Sequence, residues 1–146
     1  MGEPQPETGA STTRWYFLLR SIAVALDYGI YLATFYAYVS HFGSPTDTGY
    51  QVHGCGHFLL FGGLWVLWLP LPEVVFGRTF GKWACDLRVV TLNGGAITMG
   101  QGLLRHVLDP VDFFSCFGLV GYIVAKTNPL NQRVGDLVAR TRVIAE

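Results

Sequence analysis

The chain has 146 residues, about one domain's worth, and its ten Lys and Arg balance ten Asp and Glu, which argues against a nucleic-acid binder. Hydrophobic residues make up 51% and charged residues only 14%, too few to coat a soluble surface, with a mean hydropathy of +0.36. Cys55, Cys85 and Cys116 are odd in number and far apart, so no disulfide framework follows.

Residues 1–13 are polar and acidic, with Pro4 and Pro6 and no basic start of a secretory signal. They read as a disordered N-terminal tail ahead of an uncleaved first helix. Residues 15–39 form the first apolar run, long enough to span a bilayer, with Trp15, Tyr16, Tyr36 and Tyr38 at the levels interface aromatics favour. This run carries Arg20 and Asp27. An ionised group deep in hydrocarbon costs roughly 2.5–3.5 kcal/mol on insertion scales, so both are expected to face protein, a partner or water. Seven positions is close to two helical turns, which puts both on one face.

Residues 41–56 form a loop rich in Gly, Ser, Pro and Thr with no Lys or Arg. His53, Cys55 and His57 alternate there and are weak candidates for a metal site, with no fourth ligand fixed. A flexible entry to the second span is the simpler reading, and no resident metal or other cofactor is expected. The second apolar run, 57–76, is interrupted by Pro70 and Pro72 just before Glu73, so a kink or helix end is expected one turn before the polar exit. Residues 77–100 hold Arg78, Lys82 and Arg88. Within them, 87–92, then Asn93-Gly94-Gly95, then 96–98 read as a small β-hairpin.

The third apolar region, 103–125, carries Arg105, Asp109, Pro110 and Asp112 in its first half. Positive charge orients the chain: the loop after the first span lies outside, while 77–100 and the N-terminus lie in the cytoplasm. Lys126, Arg133, Arg140 and Arg142 favour the cytoplasm for the tail. That favours a re-entrant helical hairpin, bending between Pro110 and Gly121, over a third transmembrane helix, because irregular backbone at depth is tolerated when buried in protein. The strand-like end, 140–145, is then free to pair with 87–92. The fold class is mainly α, integral membrane: two transmembrane helices plus a re-entrant hairpin or third transmembrane helix, with a small cytoplasmic β-hairpin.

The spacing of Arg20 and Asp27 recurs in Arg105 and Asp112, with Asp109 on the same helical face as Arg105. Two such stripes can meet across helices, as a structural ion-pair network or as a polar pathway whose carboxylates exchange a proton or small cation. In the second case Asp27 and Asp112 are the exchange sites, Arg20 and Arg105 their charge partners, and Glu73 the cytoplasmic exit group. Arg133 and Asp136 lie within one turn of each other and, on spacing alone, read as a surface pair. Glycine-rich phosphate loop, nucleophile elbow and zinc-protease helix are all missing from the sequence, and residues 77–82 have the wrong glycine spacing for a phosphate loop. An enzyme is not expected.

From Arg20 to Ile144 the chain resembles the RDD family of small multipass bacterial membrane proteins. Arg20 and Asp27 are similar to its namesake Arg and first Asp, and Asp136 to its second. Gly77-Arg78-Thr79-Phe80-Gly81-Lys82 and the following Leu87-Arg88-Val89-Val90 resemble its threonine-glycine-lysine segment and strand; Thr79, Gly81, Lys82, Arg133 and Asp136 thus form a cytoplasmic motif. Arg105 fits the arginine of the next helix, and 132–141 resembles the closing motif. Two positions depart: Arg140 stands where the family tends to have glycine, and Asp86 near a usual glycine.

The resemblance makes 14–146 an RDD-like membrane domain of the bacterial inner membrane. Some members are reported as cation/proton antiporters, which implies transport of a small cation or proton; the alternative is a non-transporting accessory subunit or assembly factor. The lipid bilayer is the expected partner. Two or three helices enclose little volume, so a homo-oligomer or larger membrane complex is also expected.

Overall fold

The computed structural model describes residues 9–113 and 119–146. Helix α1, Gly9–Phe42, begins inside the stretch expected to be tail; residues 1–8 lie outside the described residues. At 1.5 Å per residue α1 is about 51 Å long, well beyond one hydrocarbon thickness. It buries a single narrow stripe, Arg20, Ala23 and Asp27, spaced by three and four as one helical face requires. The apolar residues Leu18, Ile22, Leu26, Leu32 and Phe35 are left exposed.

The connection that follows α1, expected to be a loop, holds a short antiparallel pair, β1 (Ser44–Thr46) with β2 (Gly49–Gln51), exposed throughout. Helix α2, Cys55–Trp68, ends at Leu69, and Pro70 opens α3, Pro70–Phe76. Proline lacks the N–H that would continue α2 and is well tolerated in a first turn, so the break falls where the two prolines predict. The segments Trp15–Phe42 and Cys55–Phe76 are long and apolar enough to cross a membrane, and little of either is buried within the chain. A core helix of a soluble protein would be mostly covered; these are not.

Gly77 closes α3 in the left-handed conformation (φ 75°), and Thr79 caps α4, Phe80–Ala84, by accepting from the Lys82 N–H. Strand β3, Leu87–Thr91, pairs antiparallel with β4, Thr141–Ala145, from Leu87 opposite Ala145 to Thr91 opposite Thr141. The pairing of 87–92 with 140–145 is the one expected, and it replaces the expected hairpin to 96–98. The turn at Asn93-Gly94 forms, but 96–98 do not return as a strand. Thr98 instead caps α5, Met99–Val107, in a reciprocal capping box with Gln101, and Ile97 enters the core. That core, Ala23, Cys85, Leu87, Val89, Ile97 and Val143, sits between the β pair and the lower part of α1.

The 103–125 region is no single helix. The helix is interrupted at Leu108, ahead of Pro110, to give α6, Asp109–Phe113, and further along α7, Leu119–Thr127. Helix α6 packs on α7, and the expected bend lies largely outside the described residues. Helix α8, Val134–Ala139, ends at Arg140 in the left-handed region (φ 53°) before β4. Arg140 and Asp86 (φ 51°), which stand at or near family glycines, thus both hold a conformation that favours glycine.

Candidate functional site

Charged side chains from α1, α3, α4, α5, α6 and α8 converge beside the core. Arg20 is only 4% exposed and Asp27 1%. They do not pair with each other, nor do the two Arg/Asp stripes meet as expected. Helix α4 comes between: Gly81 lies so close to α1 that a Cβ would collide with the Ala23 carbonyl oxygen. Asp27 therefore accepts from the Thr79 hydroxyl and, at 2.7 Å, from the Gly81 N–H. Asp27 and the threonine-glycine pair form one docking joint between α1 and α4.

Arg20 instead reaches across 116 residues. Its Nη2 donates to Asp136 Oδ2 at 2.6 Å and its Nη1 to the Asn131 carbonyl at 2.6 Å. Arg105 Nη1 donates to Asp136 Oδ1 and, at 2.8 Å, to the Thr141 hydroxyl. Asp136 thus bridges two buried guanidiniums and also accepts the Arg133 N–H at 3.1 Å. Burial alone would raise its pKa; Arg105 and Arg20 more than offset that and hold it at about 2. The expectation of a surface pair at 133 and 136 is corrected, since Asp136 is buried.

Glu73 was expected at the cytoplasmic exit but is fully buried. Its carboxylate lies 2.6 Å from Lys82 Nζ, 3.2 Å from Arg105 Nε and 3.4 Å from His106 Nε2. The other ring nitrogen of His106 lies 2.7 Å from Asp109 Oδ2, which also accepts from the Tyr28 hydroxyl at 2.6 Å. Burial disfavours the imidazolium, but Glu73 and Asp109 raise the His106 pKa above its ordinary value. Asp112 accepts the Val134 and Gly135 N–H groups at 3.1 and 3.3 Å and so caps α8 from outside. Because the helix breaks at Leu108, Arg105, Asp109 and Asp112 do not share one continuous face. Burial is the main reason that the Asp112 pKa is raised; the two N–H bonds only moderate it.

At the centre is a cavity of about 30 Å³, touched by Arg20, Asp27, Lys82, Arg105, His106 and Asp136 among others. It has room for roughly one or two waters. A second, open groove of about 470 Å³ lies on the flank between α1 and α5, lined by Tyr28, Trp65, His106, Asp109 and apolar neighbours. Among the described residues no three His, Cys, Asp or Glu gather as metal ligands. His53 and Cys55 are exposed, and His57 faces the Tyr38 hydroxyl at 3.0 Å.

Sequence reasoning passed over His106, Tyr28 and Thr141. His106 had a usable signal: it is the one histidine away from the outer loop, and it neighbours Arg105 in an apolar stretch. Tyr28 had none, since its partner is distant in sequence, and Thr141 was marked only as the last residue of the 132–141 motif. The model of the RDD family matches residues 16–140, so the chain belongs to that family. No curated protein and no solved structure matches the chain. Family and apolar helices together suggest a membrane location and association with a lipid bilayer.

Proposed function

We propose that this member of the RDD family is a multipass inner-membrane protein that couples a small cation to a proton, with His106 and Asp109 as the exchanging pair. One observation carries the reading. The cluster holds four fixed cations, Arg20, Lys82, Arg105 and Arg133, against five carboxylates, Asp27, Glu73, Asp109, Asp112 and Asp136. With His106 neutral it keeps one negative charge in excess; a proton on His106, or a small monovalent cation beside Glu73 and Asp109, restores balance. An uncompensated buried charge costs several kcal/mol, so loss of one favours arrival of the other. The open groove beside Tyr28 and Asp109 supplies the approach.

This moves the exchange away from Asp27 and Asp112. Asp27 accepts one N–H and one hydroxyl from the α4 end and Asp112 two N–H groups from the start of α8, so their role is to join helices. The basic 77–100 segment supports a cytoplasmic position for the cluster and the N-terminus. Two spanning helices enclose little volume, so the pathway is completed by a second copy or a larger complex.

Everted vesicles with a pH-sensitive dye test the reading. Added cation is expected to release protons from vesicles holding the wild type and not from those holding His106→Gln. No release with the wild type sinks transport, and release retained in the variant sinks the role of His106. The accessory-subunit reading is favoured by the central cavity, which is too small for a path, and gains if a stoichiometric membrane partner copurifies.

A further inference from the structure

We infer that the hollow between α3, α4 and β3 binds the headgroup of an anionic phospholipid. This rests on the membrane placement proposed above but not on transport. The hollow is an open cavity of about 620 Å³ whose walls include Trp68, Phe76, Phe80 and Trp83, with the guanidinium-bearing Arg78 and Arg88 as its charged members. Phe76, Phe80 and Trp83 are exposed. None of its wall residues is acidic, although Glu146 reaches both arginines.

The two arginines already grip one anion. Arg78 Nη1 donates to Glu146 Oε2 at 2.7 Å, and Arg88 Nη1 lies 2.9 Å from Glu146 Oε1. Two guanidiniums on the two oxygens of a single acid is the arrangement that the oxygens of a phosphodiester also satisfy. The two guanidiniums can hold one phosphate monoanion in place of the Glu146 carboxylate, so the acid and the headgroup compete for the fork. Gly77 supports the placement: a Cβ there would come within 2.9 Å of Arg88 Nε, so Arg88 lies across a residue without a side chain.

Position selects a lipid over a soluble phosphate. The hollow begins where the apolar segment Cys55–Phe76 ends, the depth at which headgroups lie, and aromatic rings beside arginines suit that boundary. A free phosphate would use only the arginines. The glycerol and first methylenes of a lipid would also cover the exposed rings.

The full chain in phosphatidylcholine nanodiscs doped with phosphatidylglycerol, with retained lipids weighed by native mass spectrometry, tests this. Phosphatidylglycerol is expected to be retained over phosphatidylcholine. Arg78→Gln and Arg88→Gln should each weaken retention about fivefold, the effect of one cation near an anionic surface. Lys126→Gln, which removes an exposed cation elsewhere, should change it less than about twofold, and Glu146→Gln should raise it by freeing the fork. Equal retention of both lipids, a loss in Lys126→Gln matching that in Arg88→Gln, or a fall in Glu146→Gln overturns the site. Displacement of the lipid by equimolar inorganic phosphate overturns the choice of a lipid. A chain that fails to enter nanodiscs at all sinks the membrane placement instead.

Discussion

Substituting Asn for Asp136 keeps the size of the side chain and removes the one anion shared by Arg20 and Arg105. Two routes give the cost. Holding the carboxyl at about 2, against about 3.8 for an ordinary aspartate, corresponds to roughly 2–3 kcal/mol of native-state stabilisation. Breaking a buried pair from one side costs about 3–5 kcal/mol, because the partner charge stays buried and unpaired; here two guanidiniums are left. Agreement near 3 kcal/mol implies a melting temperature lower by roughly 10 °C for a chain of this length. Thermal unfolding in mild detergent, followed by tryptophan fluorescence, measures it. Adding Arg20→Gln removes one of the stranded cations, so the double variant should lose less than the sum of the singles, by about 1 kcal/mol or more. A single-variant shift under about 2 °C, or strict additivity, would show that Asp136 does not bind these cations as a unit. The pH sign follows from the depressed value. The contribution is full above about pH 4 and disappears as pH falls through about 2.

Three further outcomes use the same melt. Gly81→Ala should cost about 2 kcal/mol or more by driving a methyl into the Ala23 carbonyl and the Asp27 carboxylate; a wild-type melting temperature would show that α4 can move off α1 freely. Arg140→Gly should instead stabilise by up to about 1 kcal/mol, relieving a left-handed backbone at an exposed residue, and a loss of stability would mean that the Arg140 side chain makes a needed contact. His106, held protonated between Glu73 and Asp109, should contribute fully below about pH 6.5 and lose that contribution as pH rises through its raised folded value. The margin of wild type over His106→Gln should therefore shrink on going alkaline, and a margin that widens refutes the assignment.

How much of this was legible beforehand varied with the range of the interaction. Local rules located the break at Leu69 from Pro70 and Pro72, and the apolar composition marked both long helices. The β partner of Leu87–Thr91 was read two ways. Asn93-Gly94 drew attention to a return at 96–98, whereas the Thr98-to-Gln101 capping signal committed those residues to a helix start, leaving β4 as the partner. The exposed β1–β2 pair carries no apolar alternation, so nothing marked it. Helical spacing put Arg20 and Asp27 on one buried face but could not name their partners. Asp136 is 116 positions from Arg20, and only the motif resemblance had singled it out.

The location of those partners bears on how the helices stay together. In lipid, apolar side chains gain little by leaving the acyl chains for one another, so packing and polar contacts must choose the arrangement. Helices α1 and α2 meet through few groups: Phe61 against the rings of Phe35 and Tyr38, the Tyr38 hydroxyl with His57 at 3.0 Å, the Tyr31 hydroxyl on the Phe61 carbonyl, and Trp68 Nε1 on the Asp27 carbonyl at 3.0 Å. The strongest attachments of α1 lie at its other end. Asp27 binds α4, Arg20 binds α8, and Tyr16 donates to the Val143 carbonyl of β4 at 2.7 Å. The polar cluster thus fixes α1 against α4, α8 and β4 more firmly than its ring contacts fix it against α2. Loss or gain of one proton at His106 changes the balance at the point where α1, α3 and α5 are joined, so the same event that would exchange an ion would also loosen the joint.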